Sequence, residues 1–459
     1  MELHDLTALD QAAAIRSGEI SSLELARHYL ARSHELNEVV GAFVTITDDL
    51  ALEQAAQADR AVAEATDPQS LGVLHGVVVP VKDLNQVRGV HVHFGSLTVD
   101  DVPQVDDDVV ALMREAHTVM TGKTTTPEFG LPAYTESDVG PYARTPWDLT
   151  RGAGGSSGGA AAAVAAGLAP VAQGSDGGGS IRIPASVCGL VGVKPSRGLI
   201  SNGPLPDGPG GLGVQGVLAR TVADAAALLG VMTGTDDAYL RALSEPGPLL
   251  IGRYAQPVIA ATDVHPEVIA AFEEASTLLE SLGHRLVDVA VPLPLDAVPY
   301  FELVWAAGAA GIAVPADREG DLRPLTRWLR ERGRALTPGE LDNALDLMAV
   351  HAARALDETS DLDIVLTPTL ADIPALVGAI RNDDDPAADF EAQKRFTPFT
   401  SPYNMTGQPA VSLPLHWTSA GLPVGIQLVA RPMRETTLLS LAAQLESAQP
   451  WAYRHPEVW

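Results

Sequence analysis

The sequence predicts an α/β fold in a single domain over residues 1–459, and three observations carry that prediction. An amphipathic helix from Pro266 to Leu282 stops at Gly283 and leads into the strand-like HRLVDVAV, which is one helix–strand unit of a layered α/β protein. Two apolar runs, LHGVVVPVKDLN and DIVLTP, read as buried strands. No repeat, low-complexity linker or break in composition divides the chain, although its length could hold up to about three average domains.

The elements follow in order. Residues 1–66 read as helices. A first helix runs from Leu6-Thr7 to Gly18, with Thr7 as N-cap and Gly18 as stop. Ser21-Ser22-Leu23-Glu24 opens a second with a capping box, and Gln54 to Ala65 is Ala-rich and helical. The run LHGVVVPVKDLN gives a strand ending at Lys82-Asp83, and Thr121 to Pro127 a strand end and turn. Gly158 to Ala169 is a helix of small residues. After a Gly/Pro-rich loop to Gly216, ARTVADAAALLG starts a helix whose capping box is Thr221 and Asp224. Thr337-Pro-Gly-Glu340 opens another, within a helical excursion spanning residues 298–356.

Composition excludes several classes. Apolar residues make up 46% and charged residues 19%, so a large core is expected rather than disorder. The net charge of −28 lacks the basic face of a nucleic-acid binder and disfavours anionic membrane surfaces. The acidic clusters Asp106-Asp107-Asp108 and Asp383-Asp384-Asp385 are expected to be solvated loops. One cysteine, Cys188, forms neither an intramolecular disulfide nor a multi-cysteine metal site. The stretch MELHDLTALD has no signal-peptide character, and the longest apolar run, 158–172, is too short to span a bilayer. A cytoplasmic location is expected.

Three motifs lead nowhere. Gly211-Leu-Gly-Val-Gln-Gly216 matches a dinucleotide fingerprint, but a Pro/Gly loop precedes it where a strand is required. Gly122-Lys123-Thr124 resembles the end of a phosphate loop, yet His117 stands where its first glycine belongs. His91-Val-His93 offers two ligands on one strand face and no third.

The remaining polar residues cluster around glycines. Ser156 and Ser157 lie in GAGGSSGGA, Ser180 lies in GSDGGGSIR, and Lys82 ends an apolar strand. A serine needs a base to become nucleophilic, and a desolvated lysine can supply one. Lowering a lysine from its ordinary ~10.4 to near 7–8 takes ~3–5 kcal/mol of differential destabilisation. On residues alone Lys82 suits either that role or a structural ion pair. The glycines suit either a tight turn or a set of converging N–H donors for an oxyanion, each such donor giving ~10²–10³ in rate.

Longer stretches decide between these alternatives. The block GAGGSSGGAAAAVAAGLAPVAQGSDGGGSIRIPASVCGLVGVKPSRG resembles the signature of the amidase signature family of serine hydrolases nearly end to end. LHGVVVPVKD, GKTTTPEFG, RTPWDLTRG, VQGVLARTVADAA, DIVLTPTLADIP and NMTGQPAVSLPLHWTSAGLPVGIQLVA are similar to other family segments, so the likeness runs from about Leu6 to Leu445. It implies a mixed central β-sheet sandwiched by helices, with the excursion at 298–356 near the substrate entrance.

The resemblance also implies a Ser–cis-Ser–Lys triad of Ser180 as nucleophile, Ser156 as proton bridge and Lys82 as base, with a cis peptide at Gly155–Ser156. It places the oxyanion hole on the N–H groups of Gly177, Gly178, Gly179 and Ser180. Asp176 and Arg182 brace that loop, and Ser157 is expected to hydrogen-bond Lys82. Two departures concern the loop: the family often has Thr where Ser175 and Gly177 stand, so a more mobile loop is expected.

No metal or organic cofactor is implied. The expected function is hydrolysis of small aryl, linear or cyclic amides, with carbamates (urethanes) and esters as further substrates, by a monomer or homodimer. The C-terminal NMTGQPAVSLPLHW resembles the aryl-acylamidase and cyclic-amide (nylon-oligomer) branch. The alternatives are the glutaminase subunit of a tRNA-dependent amidotransferase and a non-catalytic binding protein on the same fold.

Overall fold

In the computed structural model, which describes residues 2–459, two sheets carry the chain. The small one is built from β1 (Phe43–Ile46), β2 (Val81–Lys82) and β3 (Gly122–Thr124), in the order β1-β3-β2. The large one uses β4 (Val171–Asp176), β5 (Val191–Lys194), β6 (Val214–Ala219), β7 (Leu250–Arg253), β8 (Arg285–Asp288), β9 (Ile364–Pro368), β10 (Ala410–Trp417) and β11 (Pro423–Ala430). Its order is β4-β6-β5-β10-β11-β9-β7-β8. Pairing is antiparallel from β4 through to β9 and parallel across β9, β7 and β8. The sheet is therefore mixed, as expected.

Parallel neighbours need long crossovers, and that is where the helices fall. Helix Pro266–Ser281 links β7 to β8. The excursion, seen as helices Val298–Gly311, Pro324–Arg334 and Pro338–Glu358, links β8 to β9.

The central strands are buried on both faces, and side-chain alternation divides them cleanly. Val217 and Ala219 of β6, Ile364 and Leu366 of β9, and Ile426 and Leu428 of β11 join the core under helices Val222–Thr233, Pro266–Ser281 and Glu435–Ala448. Leu218 packs on the opposite face with the fully buried helix Gly158–Ala165 and with Arg182–Cys188. Val365 and Val429 meet the excursion helices on that second face. The outermost strand, β8, carries Arg285 and Asp288 exposed, which blunts the edge.

Several expectations need correction. The apolar run around Val78 makes only a two-residue strand, because Pro80 has no N–H to give a ladder; its carbonyl accepts from Gln173 N instead. The Ala-rich helix begins earlier, at Asp48. Neither Ser21–Glu24 nor Thr221–Asp224 closes a capping box, although Ser21 and Thr221 do cap their helices. Distant aspartates complete the N-termini: Asp59 accepts from Ser22 and Leu23 N, and Asp224 accepts from Ala8 and Leu9 N. Nor are the acidic clusters simply solvated. Asp107 is 6% exposed and accepts from Asn85 and Gln86, while Asp383 is bound by Arg323 and Arg381. Among the described residues no helix is long and apolar enough to cross a membrane.

Asp224 thus ties the first helix to a strand–helix unit more than two hundred residues away. Asp224→Ala is expected to lower stability by about 2–3 kcal/mol, the worth of two charge-assisted hydrogen bonds to a buried carboxylate. Urea denaturation reads this directly; an unchanged midpoint would contradict it.

Candidate active site

Three segments meet on the second face of the large sheet: the end of β2, the turn before helix Gly158–Ala165, and the loop after β4. Lys82 is completely buried at the end of β2. Its backbone N–H donates to Gln173 Oε1 at 2.8 Å, and its Nζ lies 2.8 Å from Ser156 Oγ. Nζ also lies 3.1 Å from Ser175 Oγ and 3.2 Å from Ser175 O.

The neighbouring acid does not serve Lys82. Asp83 is paired at 2.7 Å with Lys123, both side chains buried. The ion-pair alternative for Lys82 therefore fails: the buried pair exists, but with the other lysine. Burial lowers the Lys82 pKa to about 7, against an opposing pull from the Asp176 carboxylate. A neutral amine has two N–H groups and one lone pair. Ser175 O can only accept and takes an N–H, and Ser175 Oγ can accept the second. The lone pair is then free for the Ser156 hydroxyl.

The Gly155–Ser156 peptide is cis. Ser157 sits elsewhere than expected: its Oγ donates to Ser175 O at 3.1 Å and accepts from Ser175 N at 3.3 Å, while its N–H donates to Ser180 O. Ser175, and not Ser157, meets Lys82. The signal was available, since Gln173 and Ser175 alternate on a strand and so share one face. One polar residue of that face holds the Lys82 backbone and the other its amine.

The loop Asp176–Ser180 is fixed from beneath. Arg182 is completely buried and all five of its N–H donors are used. Nε and Nη2 bind the two Asp176 oxygens at 3.0 and 2.9 Å, and Nη1 donates to Thr400 O and Gln427 Oε1. The remaining donor reaches Asn404 Oδ1. Burial alone would raise the Asp176 carboxyl, but Arg182, Lys194 and Asn404 outweigh it and hold it below the ordinary range.

Asp176 in turn accepts from Gly179 N at 2.7 Å and Ile181 N at 3.1 Å. This corrects the expected donor set. Gly179 N–H points to the carboxylate, which leaves the N–H groups of Gly177, Gly178 and Ser180 without an acceptor among the described residues. Gly179 has φ +133°, and a Cβ there would run into the Thr400 side chain. Thr400 Oγ1 also donates to Gly178 O at 2.7 Å, so the loop is pinned rather than mobile. Ser180 is 7% exposed, and among the described residues its Oγ makes no hydrogen bond.

Ser180 opens onto two chambers. One, of about 620 Å³ including space open to solvent, is lined by Ile259, Val298, Phe301, Trp305, Phe390 and Met405 among others. The other, of about 800 Å³ on the same measure, is lined by Ser156, Ser175, Gly177, Pro209, Gly213 and Ile312 among others. Ser180, Leu131 and Trp305 border both. Phe301 and Trp305 reach the site from helix Val298–Gly311, and no local sequence pattern marks them.

The false motifs are structural. The GLGVQG segment enters β6, and His91 and His93 stack on each other, His91 binding Asp100 at 2.7 Å.

A mixed α/β sheet holding a buried lysine, two serines and a glycine loop in one cleft is the arrangement the sequence resemblance implies. The amidase family model matches residues 24–439; the chain belongs to that family and is an amide-hydrolysing enzyme. It is 35% identical over 490 aligned residues to the 6-aminohexanoate-cyclic-dimer hydrolase of Paenarthrobacter ureafaciens, covering 99% of this chain and 96% of that one. The solved structure of 6-aminohexanoate cyclic dimer hydrolase complexed with substrate superposes with a TM-score of 0.89 at 31% identity, over 100% of both chains. A bacterial aryl acylamidase of the amidase signature family shares the fold, with a TM-score of 0.87 at 24% identity over 98% of this chain and 97% of that one.

Removing Arg182 leaves a buried, unpaired carboxylate. Arg182→Met is expected to lose about 3–5 kcal/mol of stability by chemical denaturation. A loss below about 1 kcal/mol, the size of an ordinary surface change, would show that the loop does not depend on this pair.

Proposed function

We propose that the chain hydrolyses small amides through Ser180, Ser156 and Lys82. The observation that carries this reading is a fully buried lysine with no carboxylate partner among the described residues, 2.8 Å from a serine hydroxyl. Neutral Lys82 takes the proton of Ser156, which takes that of Ser180 as Ser180 Oγ bonds to the substrate carbonyl carbon. The N–H groups of Gly177, Gly178 and Ser180 receive the oxyanion. Collapse of the intermediate breaks the C–N bond, and the proton returns from Lys82 through Ser156 to the departing nitrogen. Water then attacks the acyl-enzyme by the same relay and releases the acid and Ser180.

The substrates are aryl, linear or cyclic amides. The likeness to a hydrolase of a cyclic 6-aminohexanoate dimer supports cyclic and linear amides. Carbamates present the same carbonyl to the same nucleophile, and esters add an easier leaving group, so both are further substrates.

The test is release of nitroaniline from an acyl 4-nitroanilide and from the matching carbamate. Ser180→Ala is expected to lower it at least ~10³-fold without loss of fold. The wild-type rate should rise about tenfold per pH unit below about 7, where Lys82 is still an ammonium, and level off above it as the amine becomes neutral. A rate that falls steadily from about pH 6 to 9 would contradict Lys82 as the base.

A further inference from the structure

The two chambers are not equivalent in chemistry. At the tetrahedral stage the reacting carbon carries Ser180 Oγ, the oxyanion, the acyl carbon and the amine nitrogen. The oxyanion faces the glycine N–H groups. The nitrogen has to lie within reach of Ser156 Oγ to receive its proton, and Ser156 borders only the larger chamber. One direction remains for the acyl carbon, past Gly178 into the apolar chamber under Phe301.

From this we infer that Trp305 divides the cleft into an acyl chamber and an amine chamber, so that the enzyme selects neutral, apolar acyl groups and tolerates varied amines. This rests on the Ser180–Ser156–Lys82 reading above. Phe301 and Trp305 are four residues apart on one helix face, with rings stacked at 5.6 Å between centroids and 20° between planes. A Cβ on Gly177 would sit 3.3 Å from the Trp305 ring, closer than ordinary van der Waals contact, so a side chain there would press on the ring. The glycine in place of the family's frequent Thr is thus matched by a tryptophan from the excursion.

The acyl chamber is walled mostly by aromatic and aliphatic side chains, with Gln393, Thr397 and Ser401 as its neutral polar residues. Its one lysine, Lys394, brings no free positive charge, because Glu302 and Glu391 each hold its ammonium at 2.6 Å. An acyl tail bearing a carboxylate would find no free counter-charge there, only the neutral donors Trp305 Nε1 and Ser401 Oγ. The amine chamber is larger, and Gly208, Gly213 and Gly308 leave room in its lining between the apolar side chains of Phe129, Val304 and Ile312. It also admits the deacylating water once the amine has left, beside the same Ser156.

The experiment crosses two substrate series with two single-chamber variants. The acyl series is acetyl, hexanoyl and 5-carboxypentanoyl 4-nitroanilide; the amine series is the hexanoyl amides of methylamine, aniline and naphthylamine, read by mass spectrometry. Phe301 borders only the acyl chamber and Ile312 only the amine chamber. Wild type should favour hexanoyl over both other acyl groups by about tenfold or more in kcat/KM. Phe301→Ala should shrink that ratio at least about fivefold and leave the amine ranking within about twofold, and Ile312→Ala should do the reverse.

Phe301→Leu, which keeps an apolar wall, should lie between wild type and Phe301→Ala. Labelling of Ser180 by a fluorophosphonate counts competent enzyme in every sample. The opposite pattern, or both variants changing both series alike, overturns the division. Failure of wild-type Ser180 to label would overturn the nucleophile assignment itself, and the division with it.

Discussion

An ammonium enclosed in protein without a counter-charge is so unfavourable that the group sheds its proton instead. Lys82 is in that position, and much of the site is arranged to keep it there. Asp83, next to it in the chain, faces away and binds Lys123. Asp176, the carboxylate whose charge acts on Lys82, is engaged by Arg182 and by backbone N–H groups. Among the described residues, what reaches the Lys82 amine is two serines, Ser156 and Ser175, whose hydroxyls and carbonyl carry no charge. A downward shift to about 7 corresponds to about 5 kcal/mol in favour of the neutral form.

The glycine loop depends on a different electrostatic arrangement, the buried Asp176–Arg182 pair. Such pairs add little net stability over an apolar replacement, but they are costly to break and they fix geometry. Here each partner is saturated, Arg182 with five acceptors' worth of donors and Asp176 with bonds to Arg182, Asn404 and two loop amides. Lys194 adds to the field around Asp176. It is fully buried, donates to Pro195 O, and has its pKa pulled down to about 7 by burial and by Arg182. The two halves of the cleft thus share one design: charge is confined beneath the loop, and the proposed reacting surface is left with neutral hydroxyls and amide N–H groups.

The residues that proved legible in the sequence were those whose setting is local. Lys82 ends an apolar run, Ser156 and Ser180 sit among glycines, and Thr7, Gly18 and Thr337 mark helix ends within a few residues of themselves. What was not legible depends on contacts between distant segments. Ser157 and Ser175 are equally polar, and only the face of β4 decides that Ser175 meets the lysine. The Gly179 N–H looks like its neighbours until Asp176 is seen to bind it. Asp59 and Asp224 cap helices across tens to hundreds of residues, and Asp107 lies in an acidic run yet is buried against Asn85. Phe301 and Trp305 come from the β8-to-β9 crossover, which contains none of the stretches that carry the family resemblance.

The most direct test of the account is the protonation state of Lys82 itself. In ¹⁵N-lysine-labelled enzyme, the Nζ resonance that disappears in Lys82→Met can be followed through a pH titration by NMR. The account predicts a midpoint close to 7, with a neutral amine above it. A midpoint near about 10, the ordinary lysine value, would mean an ammonium throughout the neutral range and would remove the base from the proposed relay.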